Sequence, residues 1–311
     1  MPTFTNFTFP CADGKTTIHT IRCNPDGAPR GVFQIAHGIA EHAARYNDFA
    51  AFMASHGFVV VANDHLGHGR SVLDEDSLGF FADENGWQLA VSDMKTLHDI
   101  MADEFPNLPH FLFGHSMGSF LARTYLISHR AGLSGAILSG TGQQSPALIA
   151  AGRAMGELEL KKHGAKYKSE RINSLAFGSN NKAYASPRTA SDWISRDEAV
   201  VDKYLEDPLC GYVPSVKMFL DLLGGLSIIG NGKKLKYMNK LLPIFFLSGD
   251  RDPVGENGAA VFRVYKSFLN AGMQDVTLKL YHEGRHEMLN ELNKKAVYKD
   301  ILSWVEGTLS V

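Results

Sequence analysis

One short segment restricts the fold of this chain more than any other. The apolar run Phe-Leu-Phe at residues 111–113 leads into Gly-His-Ser-Met-Gly at 114–118, and a helix-like stretch follows from Ser119. This order of strand, sharp turn and helix is typical of a nucleophile elbow, in which the serine hydroxyl is pushed out of a strained turn. Side chains in place of the two glycines would collide with neighbouring backbone. The segment therefore predicts a strand joined tightly to a helix, with Ser116 as a nucleophile.

Strand-like and helix-like segments alternate along most of the chain. A hairpin-like region at 16–22 comes first, and continuous apolar runs such as 58–62 are typical of strands buried on both faces of a sheet. This alternation predicts an α/β protein with a doubly wound, mostly parallel sheet and right-handed crossovers. The predicted strands are 31–36, 58–62, 111–113, 134–139, 242–247 and 276–281, and the predicted helices are 46–56, 87–105, 119–128, 258–271 and 294–309.

The alternation is interrupted between residues 145 and 238. This stretch is richer in Lys, Ser and Asn, is punctuated by Gly and Pro, and has helical periodicity. We predict one catalytic domain made of residues 1–144 and 239–311, interrupted by a helical cap of residues 145–238. A cap inserted at this point would lie over the carboxyl edge of the sheet, above Ser116, in the position of a lid.

Composition excludes several classes of function. With 31 Lys and Arg against 33 Asp and Glu, the net charge is -2, and no basic run could follow a phosphate backbone, so nucleic acid is not an expected partner. Cys11, Cys23 and Cys210 form an odd, scattered set, which argues against a disulfide framework and against a zinc site. Neither a signal peptide nor an apolar run of about 20 residues is present. We predict a soluble, cytoplasmic protein without a metal or cofactor.

Polar side chains follow two further strands of the predicted sheet. Asp250 and Asp252 come soon after one strand, and His282 and His286 come after the last one. Ligands of open α/β sheets bind outside the carboxyl ends of strands, so these residues are expected near Ser116. A serine hydroxyl needs an imidazole to take its proton and a carboxylate to orient that imidazole. The chain order of nucleophile, acid and base is that of an α/β-hydrolase.

Five motifs of this chain occur together in one enzyme family. They are His-Gly-Ile-Ala-Glu-His at 37–42 with Arg45-Tyr46, Asp-His-Leu-Gly-His-Gly-Arg-Ser at 64–71, the elbow at 114–118, Gly-Asp-Arg-Asp at 249–252, and Arg-His-Glu at 285–287. Together they resemble the monoacylglycerol lipase and lysophospholipase branch of the α/β-hydrolases, which is grouped with serine aminopeptidase-like hydrolases. The resemblance spans both halves of the predicted catalytic domain and implies the α/β-hydrolase fold with a helical cap.

The resemblance implies a catalytic triad. Ser116 takes the position of the nucleophile, Asp252 that of the acid and His286 that of the base. The Gly-x-x-Asp pattern of the family favours Asp252 over Asp250, which is then expected to be a solvated or turn-stabilising carboxylate. His286 is favoured over His282 as the base, because a group as close to its strand as His282 is less able to reach across the edge of the sheet.

Backbone groups are expected to complete the site. The N–H groups of Ile39 and Met117 are the expected oxyanion hole. His37 is expected to order its loop by hydrogen bonding, and the motif at 64–71 is expected to hold a sharp bend.

The function that the resemblance implies is hydrolysis of an ester with one acyl chain, in a monoacylglycerol or a lysophospholipid. The acyl group would pass to Ser116 and be released by water that His286 activates. The expected partner is a small acyl ester, with transient membrane or micelle contact through the cap. Alternatives are a small-ester or thioester hydrolase, a serine exopeptidase and a catalytically silent binding protein. An exopeptidase needs an acidic residue near Ser116, for which Glu157 and Glu159 are candidates.

Segments of the predicted cap admit two interpretations. Residues 192–197 and 204–211 resemble a cap signature of the same group. The apolar stripes at 147–155 and 218–223 would either line an acyl pocket or pack the cap on the catalytic domain, and the sequence leaves both open.

Overall fold

The computed structural model of the protein describes residues 1–184 and 186–310. These residues form one eight-stranded sheet, with β1 (Thr3–Pro10), β2 (Thr17–Asn24), β3 (Gly31–Ala36), β4 (Phe58–Asn63), β5 (His110–His115), β6 (Gly135–Ser139), β7 (Ile244–Gly249) and β8 (Val276–Tyr281). The order across the sheet is β1-β2-β4-β3-β5-β6-β7-β8. β1 and β2 run antiparallel to their neighbours, and all pairs from β4 to β8 are parallel.

Helices cover both faces of this sheet. They are α1 (Asn47–Ser55), α2 (Gly86–Glu104), α3 (Met117–Ser128), α4 (Pro146–His163), α5 (Glu170–Phe177), α6 (Glu198–Glu206), α7 (Val216–Ile229), α8 (Gly232–Leu235), α9 (Ala259–Asn270) and α10 (Lys294–Leu309). Alternate residues of a strand point to opposite faces. Leu112 of β5 therefore packs in the cluster that contains residues of α2, α3 and α9, whereas Phe111 and Phe113 pack in the cluster with α1 and α10. The structure confirms the predicted doubly wound, mostly parallel α/β sheet.

The elbow differs from its prediction at both ends. β5 extends beyond 111–113 because His110 pairs with Val32 of β3, and His115 pairs with Ser139 of β6. α3 begins at Met117, immediately after Ser116. Strand and helix are therefore separated by a single residue, which requires very close packing of the first turn of α3.

Between β6 and β7 the chain forms α4 to α8, the stretch for which a helical insertion is predicted. Two of these helices begin at serine caps: the Ser145 hydroxyl accepts from Leu148 N–H at the start of α4, and the Ser215 hydroxyl accepts from Met218 N–H at the start of α7. In the stripe at 218–223, Met218 and Leu222 both pack in the hydrophobic core, and Leu222 also lines the cavity beside Ser116. The packing interpretation therefore holds for both residues, and the acyl-pocket interpretation stays a prediction for Leu222.

The stripe at 147–155 behaves differently. Ile149 packs into the hydrophobic core, and the neighbouring Leu148 is 58% exposed. None of its residues lines the cavity beside Ser116 in the described part of the chain. The packing interpretation is therefore correct for Ile149, and the stripe forms no wall of that cavity.

Arg123 of α3 binds backbone before α4 and at the end of α7, and so ties the inserted stretch to the helix that follows Ser116. Its buried guanidinium donates to Gly142 O over 2.7 Å near the beginning of the stretch, and to Ile229 O over 3.3 Å at the end of α7. It also donates to the side chain of Gln143 over 3.1 Å. Burial lowers the pKa of Arg123 to about 9, which still leaves the guanidinium charged at neutral pH. One side chain thus joins the segment before α4 to the end of α7.

We predict that the titration of Asp93 lowers the free energy of unfolding as the pH rises. Asp93 is buried in α2, where it accepts from the Cys11 thiol and from Ala12 N–H. Burial raises its pKa from 3.8 to about 6, so the folded protein holds a proton there that the unfolded chain has lost. The contribution of Asp93 to the free energy of unfolding is therefore complete below pH 3.8, and it is lost as the pH rises through about 6.

Asp93→Asn should remove this dependence, because the amide is neutral at every pH. Urea unfolding at pH 4 and pH 7 should show the variant gaining about 2 kcal/mol relative to wild type between the two pH values. If the free energies of unfolding of variant and wild type differ by the same amount at both pH values, the raised pKa of Asp93 is refuted.

We predict opposite effects of alanine at two glycines in helices. A Cβ on Gly118, in the first turn of α3, would lie 2.1 Å from Ala36 O of β3, whereas a Cβ on Gly224 of α7 meets nothing within 4 Å. Gly118→Ala should lower the free energy of unfolding by about 3 kcal/mol because backbone must move. Gly224→Ala should raise it by about 0.5–1 kcal/mol because alanine favours helix. Urea unfolding of both variants tests the pair, and equal signs would refute the packing argument.

Candidate active site

Ser116 stands at the turn between β5 and α3 in a strained backbone conformation. Its φ of 51° and ψ of -120° lie in a region that costs a residue with a side chain about 1–3 kcal/mol. Backbone hydrogen bonds offset that cost: Ser116 N–H donates to Ser139 O over 2.9 Å, and Ser116 O accepts from the N–H groups of Ser119 and Phe120. The turn holds the half-buried Ser116 side chain at the wall of a cavity.

Asp252 and His286 form a buried pair. His286 Nδ1 lies 2.9 Å from both carboxylate oxygens of Asp252, which also accepts from Val254 N–H over 2.9 Å. Burial alone raises the pKa of the Asp252 carboxyl, but His286 and the Val254 hydrogen bond outweigh it, and the pKa lies below its usual value. Burial lowers the pKa of His286, but Asp252 outweighs it, and that pKa lies above its usual value. Asp252 therefore orients the imidazole and stabilises its protonated form.

The other ring nitrogen of His286 is free to accept a proton. His286 Nε2 is buried and has no hydrogen-bond partner among the described residues. Because Nδ1 bonds to Asp252, Nε2 carries the lone pair of the neutral ring. His286 and Ser116 line the same cavity. The arrangement can take a proton from a nucleophile and return it to a leaving group.

Ile39 and Met117, whose backbone N–H groups are the predicted oxyanion hole, line the same cavity. Neither N–H donates to another residue in the described part of the chain. Met117 begins α3, and the first N–H groups of a helix have no acceptor within it. Gly38 brings its loop close to the nucleophile, since a Cβ there would lie 3.3 Å from the Ser116 Cβ. Two unpaired donors beside Ser116 are suited to bind an oxyanion.

The structure separates Asp250 and His282 from this site. Asp250 accepts from the Glu283 N–H over 2.7 Å and lies 3.1 Å from His282 Nδ1. The His282 side chain is 83% exposed. Neither residue lines the cavity beside Ser116. Asp250 thus holds the turn after β8, the turn-stabilising role that the sequence suggested for it.

The loop histidines are buried against one another. His37 donates from Nδ1 to Gly38 O over 2.7 Å and accepts at Nε2 from the His65 N–H over 2.9 Å. The rings of His37 and His65 lie 4.3 Å apart. Burial lowers the pKa of His65 to about 3 and that of His68 to about 4, so both are neutral at neutral pH. His37 therefore joins the loop after β3 to the bend at 64–71.

The cavity beside Ser116 has a volume of about 370 Å³. Polar groups at its edge include Asn173 and Ser191. Most of the surface is apolar, which suits a hydrocarbon chain more than a highly charged ligand. Apolar side chains from the loop after β3, α3, the inserted helices and the loop after β7 include Ile39, Phe120, Phe177, Trp193, Leu222 and Val254.

The segment at 192–197 is attached to the loop that carries His286. Glu287 N–H donates to Ile194 O over 2.7 Å, and the Trp193 ring lies 5.0 Å from that of His286. Arg196 Nε donates to the fully buried Glu291 over 2.9 Å. This segment is therefore part of the wall around the imidazole.

Sequence reasoning missed Glu41, Arg45 and Glu287 as part of the site. Arg45 pairs with both carboxylates, at 2.6 Å from Glu41 and 2.7 Å from Glu287. Both glutamates line the cavity. The spacing of four residues between Glu41 and Arg45 indicates an ion pair on one turn. No comparable signal connects either residue with Glu287, which is distant along the chain.

One group of side chains in the described part of the chain has the composition of a metal site. One ligand atom from each of His42, Asp207 and Cys210 lies within 4.8 Å of the others. His42 Nε2 and Asp207 Oδ2 are 2.8 Å apart and already form a hydrogen bond. Burial raises the pKa of the Cys210 thiol, so it stays protonated. The hydrogen bond between His42 and Asp207 joins the loop after β3 to the inserted stretch.

Comparison with known proteins identifies the family. The family described as serine aminopeptidase, S33, matches residues 27–293. A monoacylglycerol lipase of Mycolicibacterium smegmatis is 31% identical over 92% of this chain and 91% of its own length, and a monoglyceride lipase of Rattus norvegicus is 28% identical over 92% and 86%. The crystal structure of a thermostable carboxyl esterase from Bacillus coagulans, in complex with glycerol, has a TM-score of 0.91 at 30% identity and covers 98% of both chains. The chain is therefore an α/β-hydrolase and belongs to the serine aminopeptidase (S33) family.

Proposed function

We propose that the chain is a serine hydrolase that cleaves carboxylic esters of single-acyl-chain lipids, with monoacylglycerol as its preferred substrate. The observation that carries this proposal is the free Nε2 of His286 in the same cavity as Ser116, while Nδ1 is bound to Asp252. The relatives named monoacylglycerol lipase and the esterase solved with glycerol support the choice of ester.

The reaction begins with transfer of the Ser116 hydroxyl proton to His286 Nε2 as the oxygen attacks the ester carbonyl. The N–H groups of Ile39 and Met117 bind the oxyanion that forms, and Asp252 stabilises the imidazolium. The imidazolium then gives its proton to the departing alcohol, which leaves an acyl group on Ser116. Water then gives a proton to His286 Nε2 as its oxygen attacks the acyl carbonyl, and the imidazolium returns that proton to the Ser116 oxygen as the fatty acid is released.

Charge in the cavity favours a neutral glycerol head group over a phosphodiester. Glu41 and Glu287 line the cavity, and a single cation, Arg45, pairs with both. An anionic phosphate near these carboxylates would be repelled. Monoacylglycerol carries no charge, and its acyl chain gains about 0.8 kcal/mol for each CH₂ that enters the apolar cavity.

The helices inserted between β6 and β7 are consistent with a cap over the site. We propose that residues 1–144 and 239–311 form the catalytic domain and that residues 145–238 form a cap that contacts membranes or micelles transiently. Exposed Leu158 and Leu175, at 69% and 62%, lie on this stretch and could meet a lipid surface. No helix in the described part of the chain has the length and apolar character to cross a membrane. A cytoplasmic location stays a prediction from the sequence.

An exopeptidase is a weaker alternative. Neither Glu157 nor Glu159 lines the cavity beside Ser116, so neither can hold a substrate ammonium there. Glu41 and Glu287 do line it, but the oxygens of both accept hydrogen bonds from Arg45 or from the loop after β3. An ammonium group would have to displace those donors.

The first test compares a monoacylglycerol with a lysophosphatidylcholine of the same chain length. We expect wild type to hydrolyse the monoacylglycerol at least tenfold faster, because the cavity carboxylates repel the phosphate. Ser116→Ala should abolish turnover and labelling by a fluorophosphonate probe. If wild type is neither labelled nor active on any ester, the chain is a silent binding protein. Turnover of short esters alone would replace the lipid substrate with a small ester.

A second test separates the two aspartates near β7. Asp252→Asn should lower kcat by about 10³–10⁴-fold because the imidazole loses its orienting carboxylate. Asp250→Asn should change kcat by less than about threefold, because the Asp250 side chain holds an exposed turn outside the cavity. Steady-state kinetics on one ester measures both. Equal losses would refute Asp252 as the acid.

A further inference from the structure

Arg45 is the centre of a buried ionic cluster that also contains Glu41 and Glu287. The Arg45 guanidinium bonds to Glu41 Oε2 over 2.6 Å and to both oxygens of Glu287 over 2.7 Å. The three side chains are 10%, 4% and 6% exposed. The two glutamates lie on different loops, one after β3 and one after β8. The Arg45 cluster therefore joins the loop of Ile39 to the loop of His286.

Glu41 sets the conformation of the loop after β3. Its Oε1 accepts from the Gly38 N–H over 2.5 Å and from the Tyr46 hydroxyl over 2.9 Å. Gly38 immediately precedes Ile39, whose N–H is unpaired in the described part of the chain. By binding the Gly38 N–H, Glu41 fixes the backbone immediately before Ile39, which lines the cavity.

The Arg45 cluster brings negative charge to His286. It contains two carboxylates and one guanidinium, so its net charge is -1, and Glu287 adjoins His286 in the chain. The ring neighbours of the imidazole include Trp193 and His115, whose ring lies 4.6 Å away, and Asp252 binds its Nδ1. Burial lowers the pKa of His115 to about 3, so His115 is neutral at neutral pH, and the indole of Trp193 carries no charge. Among these described neighbours, Asp252 and the Arg45 cluster carry the charge that acts on His286.

The cluster is closed to solvent by residues of the inserted stretch. The Tyr204 ring lies 4.8 Å from the Arg45 guanidinium carbon, and its hydroxyl donates to Ala40 O over 3.2 Å. Gly211 N–H donates to the same carbonyl over 2.9 Å. Charges shielded from water act more strongly on one another than exposed charges do. The negative charge of the cluster therefore interacts electrostatically with the imidazole of His286.

We infer that Glu41, Arg45 and Glu287 are positioning residues for ester hydrolysis: they fix the oxyanion-binding loop against the His286 loop, and their excess negative charge stabilises the imidazolium of His286. The inference rests on the proposed function. After burial and Asp252, the next contributions to the pKa of His286 come from Glu287 and Glu41, and both raise it.

Glu287→Gln tests this inference through the pH dependence of kcat/KM. The amide keeps the size of the side chain but removes its charge, while Arg45 keeps its bond to Glu41. The pKa of His286 should fall, so the acid limb of kcat/KM should move to lower pH by about half a unit. The plateau of kcat should fall about threefold, because a shift of half a pKa unit in the imidazolium corresponds to that loss of transition-state stabilisation.

Glu291→Gln is the matched control. Glu291 is a buried glutamate of the same loop, but its charge is balanced by Arg196. The control should lose comparable stability in thermal unfolding and keep the wild-type acid limb. A structural role alone would lower the active fraction in both variants without moving either limb.

The outcomes separate this inference from the proposed function. Wild type without any ester turnover refutes the proposed function. Active wild type with a Glu287→Gln limb that is unmoved, or moved to higher pH, refutes the inference alone. If Glu287→Gln does not fold, Glu41→Gln takes its place, because its amide oxygen still accepts from Gly38 N–H while the charge is lost. The same shift to lower pH is expected, and an unmoved limb would again refute the inference.

Discussion

The backbone of Ser116 is held at positive φ, and much of the surrounding architecture serves to keep it there. A residue with a side chain adopts this conformation only where its neighbours determine it. Here β5 and α3 meet at one residue, and the first turn of α3 lies so close to β3 that position 118 has no space for a Cβ. The parallel pairing of β5 with β3 and β6 then brings the elbow next to the loop that carries Ile39. The cost of the turn is offset by a rigid, buried sheet.

Buried arginines join the parts of the chain that surround this turn. Arg123 binds carbonyl groups before α4 and at the end of α7, and Arg45 binds carboxylates from two loops. A guanidinium offers five donors in a fixed plane, so it can connect several segments at once. Because its charge must be satisfied when buried, each arginine also makes its partners difficult to move apart.

Sequence patterns predicted the fold more completely than the site. The apolar runs of β3, β4 and β7 were recognisable because strands buried on both faces contain few polar residues. The bounds of β5 were less accessible, since His110 and His115 are polar yet pair within the sheet. The alternative uses of the stripe at 218–223 could not be separated from periodicity, because packing and cavity-lining residues share one face of α7.

The sequence by itself determined the α/β architecture and directed attention to Ser116, Asp252 and His286, because these depend on local patterns and on the order of residues after strands. Only the tertiary structure decided that Asp252 contacts His286 while Asp250 holds an exposed turn. It also decided that Arg45 meets Glu287, 242 residues away along the chain. Such contacts depend on the orientation of whole loops, and neither spacing nor periodicity along the chain encodes that orientation.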